Sequence, residues 1–217
     1  MIIVEKEPKS VVSERFKTLR TNLQYSSLDK EYKIIVITSS NPGEGKTTIS
    51  ANLALSLAEG EKKVALIDCD LRKPSVHRVF KISNRTGLSD VLIGQENFST
   101  ASKVYKENMT ILTAGNIPPN PAEVLASEKM AKLLVWLKTE FDYVILDTPP
   151  IQVVTDSQIL STKADGTILV VRAEKTKKDE LKNSIGLLKK VNANIIGTVL
   201  NGEENSKDDI YYHYGDI

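Results

Sequence analysis

The sequence predicts an α/β fold: one domain built on a mostly parallel sheet with helices on both faces. Three observations predict it. Short apolar runs rich in Val and Ile recur along the chain, helical patterns lie between them, and a glycine-bearing loop joins the first run to the helix that follows it. Open sheets of this kind bind ligands beyond the carboxyl ends of their strands, where that loop lies.

The elements follow in order. In residues 10–25, Val11, Val12, Phe16, Leu19 and Leu23 fall at helical spacing, with Glu14, Arg15, Lys17 and Arg20 on the other faces. This is an amphipathic helix that precedes the alternating core. Strands are expected at Ile34–Thr38, Val64–Asp68, Met109–Ala114, Tyr143–Asp147, Thr167–Arg172 and Ile195–Asn201. Each is short and nearly continuously apolar, as a strand buried on both faces must be. Helices are expected at Thr47–Glu59, Glu128–Thr139, Asp156–Thr162 and Lys178–Val191. In the last of these, Leu181, Ile185, Leu188 and Val191 make one apolar face. Strands alternating with helices imply parallel pairing. The Pro-rich segment 115–122 reads as a loop. After Asn201 no period continues, so residues 203–217 are expected to form a mobile tail beyond the domain of residues 1–202.

Composition removes several function classes. Lys plus Arg number 29 and Asp plus Glu 28, a net charge of +1, which excludes a strongly basic nucleic-acid binder. No apolar run approaches the ~20 residues that span a bilayer. The opening MIIVEKEPKS carries no apolar segment of a secretory signal, so a reducing, cytoplasmic compartment is expected. Cys69 is the single cysteine, so neither an intrachain disulfide nor a cysteine-based zinc site is available. It reads as a small buried residue. Charge and aromaticity gather at the end instead. Residues 203–217 hold five acids and one Lys, and Tyr211, Tyr212 and Tyr214 stand among them with no periodic apolar neighbours.

The loop after the first strand reads Ser40-Asn41-Pro42-Gly43-Glu44-Gly45-Lys46-Thr47-Thr48. It matches the phosphate-binding P-loop pattern except that Ser40 replaces the first Gly. Gly43 and Gly45 let backbone N–H groups turn toward phosphates. The helix start adds a positive dipole end. Lys46 is expected on the β- and γ-phosphates as a mobile cation on a surface loop, and the Thr47 hydroxyl on Mg²⁺. Two further strands end in acids: Asp68 and Asp70, two apart and so on one side, and Asp147. Carboxylates at that edge can hold Mg²⁺ directly or through water.

Together these motifs resemble the bacterial tyrosine kinase family, the P-loop kinases of capsule and exopolysaccharide operons. SSNPGEGKTT stands as Walker A, ALIDCDLRKP as the additional Asp motif, and VILDTPP as Walker B; GLSDVLIG, LTAGNIPPNPAEVLAS and the terminal YYHY extend the likeness over nearly the whole chain. The resemblance implies a MinD-like P-loop NTPase fold and ATP and Mg²⁺ as cofactors. It implies that Gly43, Glu44, Gly45, Lys46, Thr47 and Thr48 cradle the nucleotide. Lys46 would stabilise the transferring phosphoryl group, Thr47, Asp70 and Asp147 would serve the metal, Asp70 would also support the substrate side, and Asp68 would act as the base for an incoming tyrosine hydroxyl. Asn201 is a candidate base contact, with Arg172 as its neighbour. The acceptors would be Tyr211, Tyr212 and Tyr214 of a neighbouring subunit. Glu14, Lys17 and Arg20 resemble the family's E-x-x-R-x-x-R assembly motif, with Lys17 where Arg is usual, and imply a ring-like homo-oligomer, an octamer. The further implied partners are a transmembrane adaptor that holds and activates the kinase at the inner face of the plasma membrane, and a tyrosine phosphatase. No nucleic-acid partner is expected.

Two rivals share these features. A MinD/ParA-type ATPase switch has the same sheet and acids, but its loop carries an extra Lys where this chain has Asn41. A non-enzymatic assembly module would use ATP only to tighten a ring.

Overall fold

The computed structural model describes residues 2–26 and 31–203. Within them the helices are α1 (Ile3–Lys6), α2 (Val11–Ser26), α3 (Lys46–Glu59), α4 (Val76–Phe80), α5 (Leu88–Ile93), α6 (Phe98–Ala101), α7 (Pro121–Ala126), α8 (Glu128–Glu140), α9 (Asp156–Ser161) and α10 (Lys178–Lys190). The strands are β1 (Ile34–Ser39), β2 (Val64–Asp68), β3 (Lys103–Lys106), β4 (Met109–Leu112), β5 (Tyr143–Asp147), β6 (Gly166–Arg172) and β7 (Ile195–Asn201). They form one sheet in the order β3-β4-β2-β5-β1-β6-β7. Every pairing is parallel except β3 with β4.

Alternation along the central strands divides the core into two layers. Ile35 and Ile37 of β1 and Leu66 of β2 face one layer, closed by Phe16 and Leu23 of α2 and by Leu53 and Leu57 of α3. Ile34 and Val36 of β1 and Ile67 of β2 face the other, closed by Leu92, Leu125, Leu134 and Leu160. Strands β1, β2 and β5 are buried at every position, which is why they read as unbroken apolar runs. The sheet therefore acts as a rigid platform whose carboxyl edge carries the ends of β1, β2 and β5 side by side. In β2 and β5 the register sets Asp68 directly against Asp147.

Three expectations need correction. Strand β3 was not expected: its four residues, Lys-Val-Tyr-Lys, lie on an antiparallel sheet edge with none of them buried, so it lacks the continuous apolar signal of its neighbours. The segment 115–122 is a loop only as far as Asn120, because Pro121 opens α7 at a first-turn position where the missing N–H is not needed. Five short helices (α1, α4, α5, α6, α7) of 4 to 6 residues are too brief to show a helical period. The expected tail, with Tyr211, Tyr212 and Tyr214, lies outside the described residues from 204 onward.

Candidate active site

The loop between β1 and α3 is shaped by two glycines in the left-handed region, Gly43 at φ 77° and Gly45 at φ 99°. A side chain at Gly45 would also collide with Asn201, whose Nδ2 would stand 2.0 Å from the added carbon. Gly45 is the N-cap of α3, a 14-residue helix, so the loop's N–H groups and the helix's positive end converge at one place. Ser40, where the usual pattern has Gly, is buried and used: its hydroxyl accepts a hydrogen bond from Ser184 of α10 at 2.8 Å.

The side chains around this cradle interlock. Thr47 donates to Asp147 Oδ2 at 2.7 Å. Its single proton is thereby used, so the 2.7 Å contact with Ser75 must be a donation from Ser75 to Thr47. Ser50 donates to the other oxygen, Asp147 Oδ1, at 2.9 Å. Asp147 is thus held at both oxygens by hydroxyls one turn apart on α3. Asp68 accepts from the backbone N–H of Asp70 at 3.2 Å and from Ser75 and Val76 at 3.0 Å each. Those bonds fold the segment after β2 back over the strand end. Asp70 caps the same turn through Lys73 N–H at 3.0 Å and lines the open cleft.

Burial dominates the electrostatics. It pushes the Asp68 carboxyl well above the usual carboxylate range, and the adjacent Asp147 pushes it further. Burial raises Asp147 as well, against the opposing pull of the Thr47 hydrogen bond, the Lys46 ammonium and the Ser50 hydrogen bond. Two buried acids in register repel one another and call for a cation. Among the described residues no group of three or more Asp, Glu, His or Cys could hold a metal alone. A metal here would complete its shell with water and nucleotide oxygens, the habit of Mg²⁺. The glycine nest and paired acids fit a nucleotide triphosphate and a hard divalent cation.

Several expected residues take different postures. Lys46 is not a mobile surface cation: it is 9% exposed, packed at the start of α3. The Glu44 side chain is fully buried and turned into the protein, accepting from Asn41 N–H at 3.0 Å and from Thr176 at 2.6 Å. It shapes the loop, leaving only its backbone for a ligand. Thr48 follows on the first turn of α3, half-buried. Asn201, at the end of β7, donates to the Glu44 carbonyl at 2.9 Å, which brings it to the loop as expected. Cys69 is buried in the apolar layer, where burial and the surrounding acids hold its thiol well above its ordinary pKa. Ser50 and Ser75 were not anticipated. Ser50 lies three residues beyond Thr47, so the helical spacing signals it; Ser75 carries no comparable signal.

The α2 residues lie apart from this site. Lys17 pairs with Glu14 at 2.6 Å. Arg20 donates to the Ser56 carbonyl at 2.7 Å, capping the carboxyl end of α3 beside Gly60.

Comparison with known proteins decides between the kinase and its rivals. A family profile described as ParA, NUBPL iron-transfer P-loop NTPase, matches residues 30–209. Tyrosine-protein kinase YwqD of Bacillus subtilis is 43% identical over 215 residues, 99% of this chain and 91% of that protein. The chain belongs to the bacterial tyrosine kinases, within the ParA group of P-loop NTPases. Its enzyme class is protein-tyrosine kinase. The kinase domain of the Escherichia coli tyrosine kinase ETK superposes on this kinase with a TM-score of 0.90 at 33% identity, covering 100% of this chain and 85% of that one. MinD of Pyrococcus horikoshii, solved with Mg-ADP, superposes at 0.68 with 28% identity, covering 81% and 72%. The kinase thus shares the MinD fold, as expected. Among its described residues no helix is long and apolar enough to cross a membrane.

Proposed function

We propose that the protein is an ATP-dependent, Mg²⁺-dependent tyrosine autokinase that transfers the γ-phosphate to Tyr211, Tyr212 and Tyr214 of a neighbouring copy. The observation that carries this reading is the convergence of Thr47 and Ser50 on Asp147, with Asp68 and Asp70 alongside, under a glycine nest at one strand edge. Residues 1–202 act as the catalytic domain and 203–217 as the substrate tail.

The residues divide the work. Gly43, Gly45 and the backbone of Glu44 and Thr48 hold the phosphates, and Lys46 neutralises the transferring group. Thr47, Asp147 and Asp70 hold Mg²⁺, which when bound supplies charge neutralisation between the terminal phosphates. Asn201 and Arg172 border the nucleotide base. Asp68 accepts the phenolic proton. Among the described residues its Oδ1 accepts one backbone bond, from Asp70 N–H, and so keeps a lone pair for that proton. The tyrosine hydroxyl has an ordinary pKa near 10, so loss of its proton needs such an acceptor. Most of the rate then comes from positioning and charge neutralisation.

The same reading places the kinase in the regulation of capsular or exopolysaccharide synthesis. It works in a ring of eight copies joined through Glu14, Lys17 and Arg20, held at the inner face of the plasma membrane by a transmembrane adaptor and reset by a tyrosine phosphatase. The tyrosine-kinase relative matched over 91% of its length and the family's E-x-x-R-x-x-R likeness support it. The test is site-mapped mass spectrometry of the purified chain after incubation with ATP and Mg²⁺. Phosphate on Tyr211, Tyr212 and Tyr214 is expected. Phosphate confined to Ser or Thr, or none, would overturn the reading.

A further inference from the structure

Among the described residues, the ends of β6 and β7 are tied to the phosphate loop at three points, through Lys175, Thr176 and Asn201. The turn that follows β6 is itself held in an uncommon shape. Glu174 takes a φ of 59°, in the left-handed region that residues other than glycine seldom adopt. Such a conformation persists where its surroundings over-determine it. Thr176 provides that constraint. Its N–H donates to the Arg172 carbonyl at 2.9 Å, and its hydroxyl oxygen accepts from the Arg172 N–H at 2.9 Å. One residue thereby closes the turn from both its backbone and its side chain. The single hydroxyl proton of Thr176 is left for Glu44 Oε1, 2.6 Å away.

Glu44 receives these ties from inside the phosphate loop. Its side chain is fully buried, and its other oxygen, Oε2, accepts from Asn41 N–H at 3.0 Å. Its backbone carbonyl accepts from Asn201 Nδ2 at 2.9 Å, and the Asn201 carbonyl accepts in turn from Ala173 N–H at 2.8 Å. Lys175 Nζ adds a longer contact of 3.3 Å to the Pro42 carbonyl. A buried carboxylate is a poor way to add stability, since an apolar side chain of similar size does as well or better. Its two oxygens instead face two different segments. Oε2 shapes the phosphate loop from within, and Oε1 joins that loop to the strand ends that carry Arg172 and Asn201.

We infer that Thr176 is a positioning residue for the nucleotide, setting through Glu44 the spacing between the phosphate nest and the base side of the site. This rests on the reading above that places Arg172 and Asn201 beside the base. Thr176 acts through Glu44 and through the turn it closes, not by contact with the ligand. A nucleoside triphosphate must satisfy the nest and the base side at once, so it needs the two held at a fixed spacing. A ligand made of phosphates alone needs only the nest, which the Asn41–Glu44 bond and the two glycines shape without Thr176. The strap therefore favours a nucleotide over a bare polyphosphate carrying the same charged groups.

The test uses the full chain with Mg²⁺, titrated calorimetrically with ATP and, separately, with inorganic tripolyphosphate. Thr176→Val keeps the side-chain shape and removes the hydroxyl. It should weaken ATP binding by about 10-fold, the worth of one hydrogen bond to a charged group. Tripolyphosphate binding should stay within about twofold. Glu44→Ala should weaken both ligands, because the bond to Asn41 is lost as well. Thr176→Ser keeps the hydroxyl and should restore ATP binding to within about twofold of wild type. At saturating ATP the rate of phosphate incorporation by Thr176→Val should stay within about threefold of wild type, a change in KM rather than in kcat. Should Thr176→Val fail to fold, Thr176→Ala, which leaves room for a water on Glu44, carries the same test. Unchanged ATP affinity in the folded variant overturns the inference. So does an equal loss for both ligands, which would make Thr176 a general support of the loop. A wild type that binds tripolyphosphate as tightly as ATP overturns the base-side reading beneath it and leaves the kinase chemistry standing.

Discussion

The carboxyl edge of the sheet and the exposed face of α2 both carry charged residues that the sequence singles out, but they are assembled differently. At the sheet edge Thr47 meets Asp147 across 100 residues of chain, and Ser50 meets the same acid across 97. On α2, Lys17 meets Glu14 across three. The first cluster exists only if strands β1, β2 and β5 are in register, and it leaves buried acids that await a cation. The second forms on any helix of that sequence. With side chains 40% and 59% exposed it contributes only a few tenths of a kcal/mol. A long-range buried cluster is thus strong testimony about chemistry, whereas a local exposed pair says little until a partner is seen against it.

The largest expected effect breaks the first region alone. Lys46→Met should lower phosphate incorporation by at least about 10²-fold, as loss of one preorganised charge at a transition state does. Thermal unfolding should stay near wild type, because Met has a similar length and suits a site only 9% exposed. Residual activity near wild type in a folded variant would remove Lys46 from the chemistry. Next comes Ser50→Ala, which leaves Asp147 Oδ1 without its hydroxyl donor. It should destabilise the fold by about 1–3 kcal/mol in denaturant titrations. No change would mean that water replaces the hydroxyl and that the hydroxyl pair is not what fixes Asp147.

In the second region the effects should be smaller and of another kind. Arg20→Ala removes the cap on α3 and should cost about 1 kcal/mol of stability whether or not copies associate. Combined with Glu14→Ala it should also lower the mass seen by light scattering, if α2 is the assembly surface. A stability loss with unchanged mass would assign Arg20 to capping only. The smallest change is Lys17→Arg. It should leave stability within about 0.5 kcal/mol yet strengthen association, because a guanidinium can bind a neighbouring carboxylate at two points.

The sequence exposed β1, β2 and β5 because they are buried at every position, and β4, β6 and β7 because they too are apolar runs, although β7 at the sheet edge has no fully buried residue; it exposed the P-loop because only glycine suits positions 43 and 45. It hid β3, a four-residue edge strand with no buried position, and the helices too short to show a period. Within the site, Lys46, Thr47, Asp68, Asp70 and Asp147 were legible from spacing relative to strand ends. The inward turn of Glu44 was not, because its partner Thr176 is 132 residues away. Nor was the two-point pairing of Arg72 with the buried Asp156, an acid that reads in isolation as an ordinary first-turn residue of a helix. Arg20 was legible as a charge on an amphipathic helix, but its bond to Ser56 depends on where α3 ends.

Transfer between copies is the central claim, and one mixing experiment reaches it. A Lys46→Met chain with an intact tail is incubated with ATP, Mg²⁺ and a chain whose Tyr211, Tyr212 and Tyr214 are all changed to Phe. Neither partner alone should label its own tail. The mixture should place phosphate on the tail tyrosines of the Lys46→Met chain, found by site-mapped mass spectrometry. An unlabelled Lys46→Met chain in the mixture, alongside a wild-type control that does label itself, would contradict transfer between neighbours.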